Sequence, residues 1–418
     1  MIIAVPYGKE NVEVEIDKAR VSGIIEANNV PIADESETVR KAIENPVNSK
    51  KLSEFLADAR DVLFIVNDAT RATPTARVLE ILYEMIKSLN VKFIVATGAH
   101  RAPTEEECYQ IFGRYYEEFK SRIYFHDARA DKDMVYIGKS RNGTEMFVNR
   151  IGVEAHKIVI IGSVEPHYHA GYTGGRKAFL PGIASYKSIE QNHSLALRPE
   201  AESLKLKGNP VHEDMIDALG TIKDKEIFAI MTVLDREHRL YAATAGNIED
   251  SLTAATGKAK EVFAVAIKEK VDIVVAVARF PMDIDLYQSQ KALENGKMAL
   301  KKGGVIILVS KCRSGIGDDT FTRLLSSCDT PAEALEKISK GYVLGYHKAA
   351  KMAEIGLWAD IYGVTGLPDE LISSVFITPF HSLQEAIDSA TAKMKGKDAK
   401  VLFFMDGGMT VPLLDESL

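Results

Sequence analysis

Residues 157–177 read KIVIIGSVEPHYHAGYTGGRK, an apolar run rich in β-branched residues that gives way to a polar loop with several glycines. A run that is apolar at almost every position is typical of a parallel strand, because such a strand is buried on both faces. Similar runs occur elsewhere in the chain, at 62–66, 92–97, 227–234, 272–278, 303–310 and 400–405. Helical patterns lie between many of them, as at 74–89 and 248–270. This alternation predicts an α/β fold with largely parallel sheets flanked by helices.

The length of the chain and its series of strands predict two domains. At roughly 100–200 residues per domain, the chain is long enough for two. We predict an N-terminal α/β domain over residues 1–265 and a C-terminal α/β domain over residues 270–395. We expect the tail over residues 396–418 to return to the N-terminal domain. The junction is placed where the long helical pattern ends in KEKVD and a new series of strands begins.

Composition and charge exclude several classes of protein. The formal net charge is -7, and residues of both signs are spread along the chain, so no basic surface for nucleic acid is expected. The apolar runs are shorter than the roughly 20 residues of a membrane span, and the first residues turn polar too early for a signal peptide. The cysteines Cys108, Cys312 and Cys328 form no CxxC pair, which favours a reducing cytoplasm.

Polar residues that can act as acids, bases or ligands cluster just after three of the predicted strands. In open parallel sheets, ligands bind beyond the carboxyl ends of the strands. The residues found there are Asp68, Arg71, His100, Arg101, His167, His169, Arg176 and Lys177. We therefore predict a site in which an acid, arginines and histidines meet at one edge of a sheet.

Each of these features also has a plainer interpretation. Asp68 is suited to capping the next helix, and the Gly174-Gly175 pair is suited to a tight turn as well as to a backbone anion nest beside Arg176 or Lys177. His193 by itself resembles a polar residue on the surface of a helix. The pair His167 and His169 raises the possibility of a zinc site, but no carboxylate obviously completes it.

The motifs DATRATP (68–74), TGAHRAPTEEE (97–107) and EPHYHAGYTGGRKAFLPG (165–182) together resemble the nickel-dependent lactate racemase family. The third motif is the most specific, because His167 lies ten residues before Lys177 and His193 sixteen residues after it. A fourth match is DLYQSQKAL, which contains Tyr287, Gln288 and Lys291. The resemblance therefore extends over nearly the whole chain.

The resemblance implies a specific cofactor. Members of the family carry a nickel-pincer nucleotide, a pyridinium-3-thioamide-5-thiocarboxylic acid mononucleotide that holds Ni(II) through sulfur, carbon and sulfur. Lys177 matches the lysine to which it is covalently joined, and His193 matches the histidine that supplies the fourth nickel ligand. The positions implied to lie near the cofactor are Asp68, Gly174, Gly175, Tyr287 and Trp358.

The resemblance also implies an activity. The enzyme would be a racemase or epimerase that inverts C2 of a small 2-hydroxy acid by hydride transfer, with His100 and His167 as the acid/base pair. Arg71, Gln288 and Lys291 match residues around the substrate. Because these three come from both halves of the chain, the active site is expected in the interdomain cleft. Cofactor-maturation enzymes are implied as partners.

The chain departs from the family pattern at a few positions. Ala72 and Ala102 stand where the family often has proline, and Arg176 stands where a small residue is common. These departures favour an enzyme that keeps the chemistry of the family but acts on lactate or on a different 2-hydroxy acid, such as a malate-like or sugar acid.

Two other functions compete with this interpretation. One is a zinc- or magnesium-dependent hydrolase built from His100, His167 and His169, and the other is a non-catalytic binder of hydroxy acids or nucleotides.

Overall fold

The structure is a computed structural model that describes residues 1–394 and 398–415. The chain divides into two compact units. The central unit is Asn29–Val262, and the terminal unit combines Met1–Asn28 with Phe263–Leu418. Each unit contains a large sheet flanked by helices, which confirms the predicted α/β class.

The strands include every run predicted from the sequence. In chain order they are β1 (Ile2–Tyr7), β2 (Glu10–Glu15), β3 (Val21–Ile25), β4 (Asp61–Asn67), β5 (Asn90–Ala96), β6 (Ile123–Phe125), β7 (Met134–Lys139), β8 (Glu145–Asn149), β9 (Lys157–Ser163), β10 (Pro166–His167), β11 (Gly171–Tyr172), β12 (Glu226–Leu234), β13 (Leu240–Gly246), β14 (Ala264–Ile267), β15 (Val271–Val277), β16 (Leu300–Ser310), β17 (Asp360–Thr365), β18 (Thr378–Phe380), β19 (Val401–Phe404) and β20 (Val411–Leu414).

The α-helices lie mainly between the strands. In chain order they are α1 (Glu35–Glu44), α2 (Leu52–Leu56), α3 (Thr75–Ile86), α4 (Glu105–Phe112), α5 (Tyr116–Phe119), α6 (Arg150–Glu154), α7 (Tyr186–Ser194), α8 (Pro210–Leu219), α9 (Ile248–Phe263), α10 (Leu286–Gly296), α11 (Asp319–Ser326), α12 (Pro331–Lys340), α13 (Tyr346–Gly356), α14 (Asp369–Ser373) and α15 (Leu383–Lys393). No helix in the described ranges is both long and apolar enough to cross a membrane.

The sheet of the central unit has the order β13-β12-β9-β4-β5-β6. Its strands pair in parallel, except that β13 runs antiparallel to β12. Every residue of β9 is buried, as its continuous apolar run predicts. Phe64, Phe93 and Phe228 point into one core with the helices on that face, and each such burial stabilises the fold by roughly 1.5–3 kcal/mol. This core holds β9, β4 and β5 side by side, so the loops after them share one edge.

The sheet of the terminal unit has the order β18-β17-β16-β15-β19-β3, and all of its pairs are parallel. This arrangement corrects the predicted domain bounds in two ways. The first 28 residues belong here, because β3 forms the edge of this sheet. The tail does not return to the N-terminal domain, because β19 lies between β15 and β3. The physical reason is that β19 is apolar on both faces and is buried completely only between two neighbouring strands.

The junction between the units differs from the predicted helix over 248–270. Helix α9 ends at Phe263, and the next four residues form β14, which pairs in parallel with β20. Propensity alone does not separate the two states in such a short apolar segment, so its tertiary partner β20 decides the outcome.

Candidate active site

Three loops of the central unit carry most of the predicted site residues. They follow β4, β5 and β9, which are neighbours in the sheet order β9-β4-β5. Since these strands are parallel, their carboxyl ends lie at one edge, where α/β sheets bind ligands. The structure therefore brings the loops containing Asp68, His100 and Lys177 to the same edge, as the sequence predicts.

His100 and Asp68 form a hydrogen-bonded pair at this edge. The distance from His100 Nδ1 to Asp68 Oδ2 is 2.8 Å, and Asp68 Oδ1 accepts from Thr70 Oγ1 at 2.7 Å. Asp68 is 6% exposed, whereas the side chain of His100 is about half exposed. Burial raises the pKa of Asp68, but the bonds from His100 and Thr70 and the charges of His100 and Arg71 outweigh it, so the pKa lies below the usual range. An ionised Asp68 keeps the proton of neutral His100 on Nδ1 and leaves Nε2 as a base.

Lys177 and three histidines form a second group. Lys177 Nζ lies 3.3 Å from His167 Nε2. The ring centroids of His167 and His169 are 4.4 Å apart, and those of His169 and His193 are 4.9 Å apart. Burial and then the charge of Lys177 lower the pKa of His193 to about 3, so its imidazole is neutral over the physiological range. A neutral imidazole is the form that binds metals.

The group does not form a metal site from protein ligands alone. In the part of the chain that the structure describes, no three or more His, Cys, Asp or Glu side chains are arranged to hold a metal ion. The predicted His167 and His169 pair therefore lacks the third and fourth ligands that a zinc site normally takes from the protein. A metal bound through His193 would need donors from another molecule.

A small cavity lies beside Lys177. Its volume is about 250 Å³ including its opening to solvent, and its lining includes Asn67, Ala96, Gly162, Gly174 and Lys177. These residues belong to the ends of β4, β5 and β9 and to the loop after β9. Lys177 thus lines a cavity at the strand ends.

The loop from β10 to Lys177 is held by Arg176, which is completely buried. Its guanidinium donates to the carbonyl oxygens of Ala170 at 2.7 Å, Gly174 at 3.1 Å and Thr173 at 3.2 Å. This corrects the interpretation in which Arg176 adjoins an anion nest, because its Nη1 and Nη2 groups are used within the loop. Gly174 has a positive φ of 82°, and a side chain there would meet Val164 Cγ2 at 2.7 Å. The glycine is therefore required by close packing of the loop against the end of β9.

Helix α7 positions His193 in its last turn. The helix begins after Ser185, whose Oγ accepts from the backbone N–H of Ser188 at 3.2 Å. Near its end, the buried Asn192 donates to Asp214 Oδ2 at 2.8 Å. Asp214 also accepts from Ser140 and Thr144, so α7 is tied to neighbouring elements. The sequence alone favoured a solvent-facing His193, but the residue is 8% exposed.

Arg71 is paired with a residue that the sequence analysis quoted without assigning it a role. Arg71 Nη1 lies 2.9 Å from Glu165 Oε1, and the two side chains are 23% and 14% exposed. Arg101, in contrast, is exposed and forms two bonds of 2.7 Å to Glu107 at the start of α4. Arg71 is therefore the half-buried cation of this edge, and Glu165 is its partner.

The terminal unit holds Tyr287, Gln288 and Lys291 in the first turns of α10, beyond the carboxyl end of β15. The helix is capped by Asp285, which accepts from the backbone N–H of Gln288 at 2.6 Å. The buried Lys348 donates to the carbonyl oxygen of Tyr287, and its Nζ lies 3.9 Å from the centre of the Tyr287 ring. Sequence analysis missed Lys348, for which the only signal is a lysine within an otherwise alanine-rich turn of α13.

Trp358 is not near these residues. It lies just before β17, at the amino edge of the terminal sheet, and its carbonyl accepts from the N–H of Gly303 at 2.7 Å. Tyr287 lies at the opposite, carboxyl edge. The structure therefore separates Trp358 from the other predicted cofactor residue of this unit. The reason is that α13 runs antiparallel to the strands and carries the chain back across the sheet before Trp358.

Comparison with known proteins identifies the family. The Lactate racemase N-terminal domain model matches residues 7–204, and the Lactate racemase C-terminal domain model matches residues 266–411. The lactate racemase of Thermoanaerobacterium thermosaccharolyticum is 32% identical over 97% of both chains. That of Lactiplantibacillus plantarum is 31% identical over 97% of this chain and 98% of its own.

Solved structures agree with this assignment. The lactate racemase apoprotein from Thermoanaerobacterium thermosaccharolyticum superposes with a TM-score of 0.91 at 31% identity, covering 99% of this chain and 100% of that one. A protein from Thermotoga maritima shares the fold, with a TM-score of 0.69 at 18% identity over 91% of this chain and 98% of its own. The chain therefore belongs to the lactate racemase family.

Proposed function

We propose that this protein is a racemase or epimerase that inverts C2 of a small 2-hydroxy acid, with lactate as the first substrate to test. The observation that carries the proposal is the placement of two imidazoles, His100 and His167, in the loops after β5 and β9, the two strands that flank β4, with Lys177 beside His167. A racemase must serve both enantiomers, so it needs an acid/base group for each. Membership of the lactate racemase family supports the same activity.

The residues present fit a nickel-pincer nucleotide on Lys177. Lys177 offers an amine for a covalent link, and His193 offers one neutral imidazole. One protein ligand suffices only if the other donors come with the cofactor, and four donors of that kind suit square-planar Ni(II). When bound, such a cofactor would supply a hydride acceptor and donor for C2 of the substrate.

The histidines would move the hydroxyl proton of the substrate. His100, whose Nδ1–H is held by Asp68, presents Nε2 as a base. His167 Nδ1 accepts from the backbone N–H of Ala170 at 3.4 Å, so Nε2 is the nitrogen that would exchange a proton with the substrate. Each histidine would take the hydroxyl proton of one enantiomer as a neutral imidazole, and would return a proton as an imidazolium when that enantiomer is formed.

Other residues would bind the substrate. Arg71 is the half-buried cation beside Asp68, and a guanidinium binds a carboxylate through two parallel hydrogen bonds. We also propose that Gln288 and Lys291 of the terminal unit contact the substrate, because they lie in the matching motif DLYQSQKAL.

The buried thiols of Cys108, Cys312 and Cys328 accord with a cytoplasmic protein, which we propose as its location.

The test is to produce the chain together with cofactor-maturation enzymes and to follow optical inversion of enantiopure lactate. Peptide mass spectrometry should find an adduct on Lys177, and Lys177→Arg should lose both adduct and activity. His100→Ala and His167→Ala should each abolish inversion while the fold is intact. His381→Ala is the control, because His381 is exposed and lies in the terminal unit. An active protein with unmodified Lys177 would refute the proposal.

No observation favours the competing functions. A hydrolase that uses a divalent metal needs a group of protein ligands that the described residues do not offer. A non-catalytic binder would be stabilised by 2-hydroxy acids and would invert none of them, even with the adduct on Lys177.

A further inference from the structure

Glu165 is a fixed carboxylate at the candidate site. Its backbone N–H donates to Thr173 Oγ1 at 2.9 Å, and its carbonyl accepts from the N–H of Thr173 at 2.9 Å. Its Oε1 accepts from Arg71 Nη1 at 2.9 Å. The residue is therefore held at both its backbone and its side chain, and its negative charge stays near Arg71.

The pairing leaves one edge of Arg71 available. Arginine has five N–H donors in a rigid fork, and Glu165 uses the Nη1 side. Within residues 1–394 and 398–415, the structure records no other hydrogen bond from the side chain of Arg71. The Nε and Nη2 donors can thus bind a single carboxylate in the bidentate geometry that guanidinium favours.

The charges of this edge do not favour a second carboxylate. Asp68 and Glu165 are negative, and Arg71 and Lys177 are positive. If Lys177 is acylated, as the proposed function requires, its charge is lost, and among these four groups of the central unit the two carboxylates outnumber Arg71. A substrate with one carboxylate can use Arg71, whereas a further carboxylate near Glu165 meets a like charge in a partly buried setting.

Glu165 also offers a hydrogen-bond acceptor. In the described part of the chain, no bond to Glu165 Oε2 is recorded. A hydroxyl group on C3 of the substrate can donate to this oxygen, but a carboxylate cannot, because it carries no proton at neutral pH. A methyl group at C3 neither donates a hydrogen bond to Glu165 nor is repelled by its charge.

We propose that Glu165 determines the substrate class: it admits 2-hydroxy acids with one carboxylate, favours a hydroxyl at C3, and disfavours a second carboxylate. This inference rests on the proposed function, since it takes Arg71 as the residue that binds the substrate carboxylate. Glycerate, lactate and malate test it, because their C2 centres carry CH2OH, CH3 and CH2COO⁻ respectively and are otherwise alike.

The experiment compares wild type, Glu165→Gln and Glu165→Asp, each cofactor-loaded, on these three acids. We expect kcat/KM of wild type to be highest for glycerate and at least about 10-fold lower for malate. Glu165→Gln should raise the ratio of kcat/KM for malate to that for glycerate by about 10-fold, a change that corresponds to about 1.4 kcal/mol. Glu165→Asp keeps the charge and should keep the discrimination. Glu35→Gln is the matched control, since Glu35 pairs with Arg77 elsewhere in the central unit and its loss should leave the ratio unchanged.

A second measurement separates this inference from the proposed function. Calorimetry gives the binding ratio of glycerate to malate for the same variants, whether or not they turn over. Wild type that inverts none of the acids refutes the proposed function, and the binding ratio then decides the role of Glu165 by itself. Equal binding ratios of glycerate to malate in wild type and Glu165→Gln would overturn the inference, provided that urea unfolding shows both proteins to be folded.

Discussion

Asp68 and His100 show how a site is set by single residues. Asp68 accepts from His100 Nδ1 and from Thr70, and these bonds together with the nearby positive charges outweigh the effect of burial on its pKa. The carboxylate thus stays ionised and fixes both the ring orientation and the tautomer of His100. The plainer interpretation of Asp68 as a helix cap is not what the structure shows, because α3 begins after Pro74 without a side-chain cap.

Replacing Asp68 by asparagine tests this pairing. The amide no longer stabilises the imidazolium that forms when His100 takes a proton, so we expect kcat for inversion to fall by about 10²-fold or more, the usual contribution of a positioned acid/base group. Thr70→Val is the matched control, because it removes a bond to the same carboxylate and leaves the one to His100. Steady-state kinetics on both enantiomers measures the effect. An equal loss in both variants would show that only the local fold matters.

At the scale of elements, the segment from β10 to Lys177 is shaped by glycines and by Arg176. Gly171 lies in β11 with a positive φ of 76°, and a side chain there would come within 2.1 Å of the carbonyl oxygen of Lys205. Three loop carbonyls accept from Arg176. Since His167 and Lys177 are at the two ends of this segment, its conformation determines their separation.

The variants Gly171→Ala and Gly208→Ala separate backbone strain from close packing. Both glycines have a positive φ of 76°, but the nearest atom to a side chain at Gly208 is 3.9 Å away. Each substitution should cost roughly 1–2 kcal/mol for the left-handed conformation. Gly171→Ala should be more destabilising, because of the clash, and should also lose activity. Urea unfolding midpoints measure stability, and similar values for both variants would contradict the packing argument.

At the scale of the whole molecule, buried histidines make stability depend on pH. Burial lowers the pKa of His126 to about 4 and, together with the charge of Lys177, that of His193 to about 3. His126 Nε2 lies 2.9 Å from the carbonyl oxygen of Ala184, and Asn149 donates to its Nδ1 at 3.3 Å, which is the pattern of a neutral ring. His126 is therefore a residue of the core.

The sign of the effect follows from the protons that each state binds. Unfolded histidine titrates near pH 6.5, so below that pH the unfolded chain binds more protons than the folded one. The contribution is fully present above about pH 6.5 and is lost as the pH falls towards the folded pKa. Between pH 7.5 and 5.5 we expect the free energy of unfolding to fall by roughly 1 kcal/mol for each buried histidine. His126→Gln should reduce this dependence in urea unfolding, and an unchanged slope would contradict the assignment.

Particular elements show how far the sequence predicts the fold. The run at 157–164 is a buried strand, as predicted, because an apolar residue at nearly every position suits no other place in a large α/β domain. The helix predicted over 248–270 ends early, because β14 finds a distant partner in β20. The tail differs from the prediction for the same reason, since the strands that pair with β19, namely β15 and β3, are far away in the chain.

The candidate site also combines features that the sequence predicts with features that only the folded chain shows. Motif spacing determined which residues belong together after the strands of the central sheet, namely Asp68, His100, His167 and Lys177. The tertiary structure alone decided that Arg176 is buried, that His193 is neutral and enclosed, that Glu165 pairs with Arg71 and that Trp358 lies at the opposite edge of its sheet. The reason is that strand ends and loop motifs are local properties of a chain, whereas burial, charge pairing and pKa depend on neighbours that only the folded chain brings together.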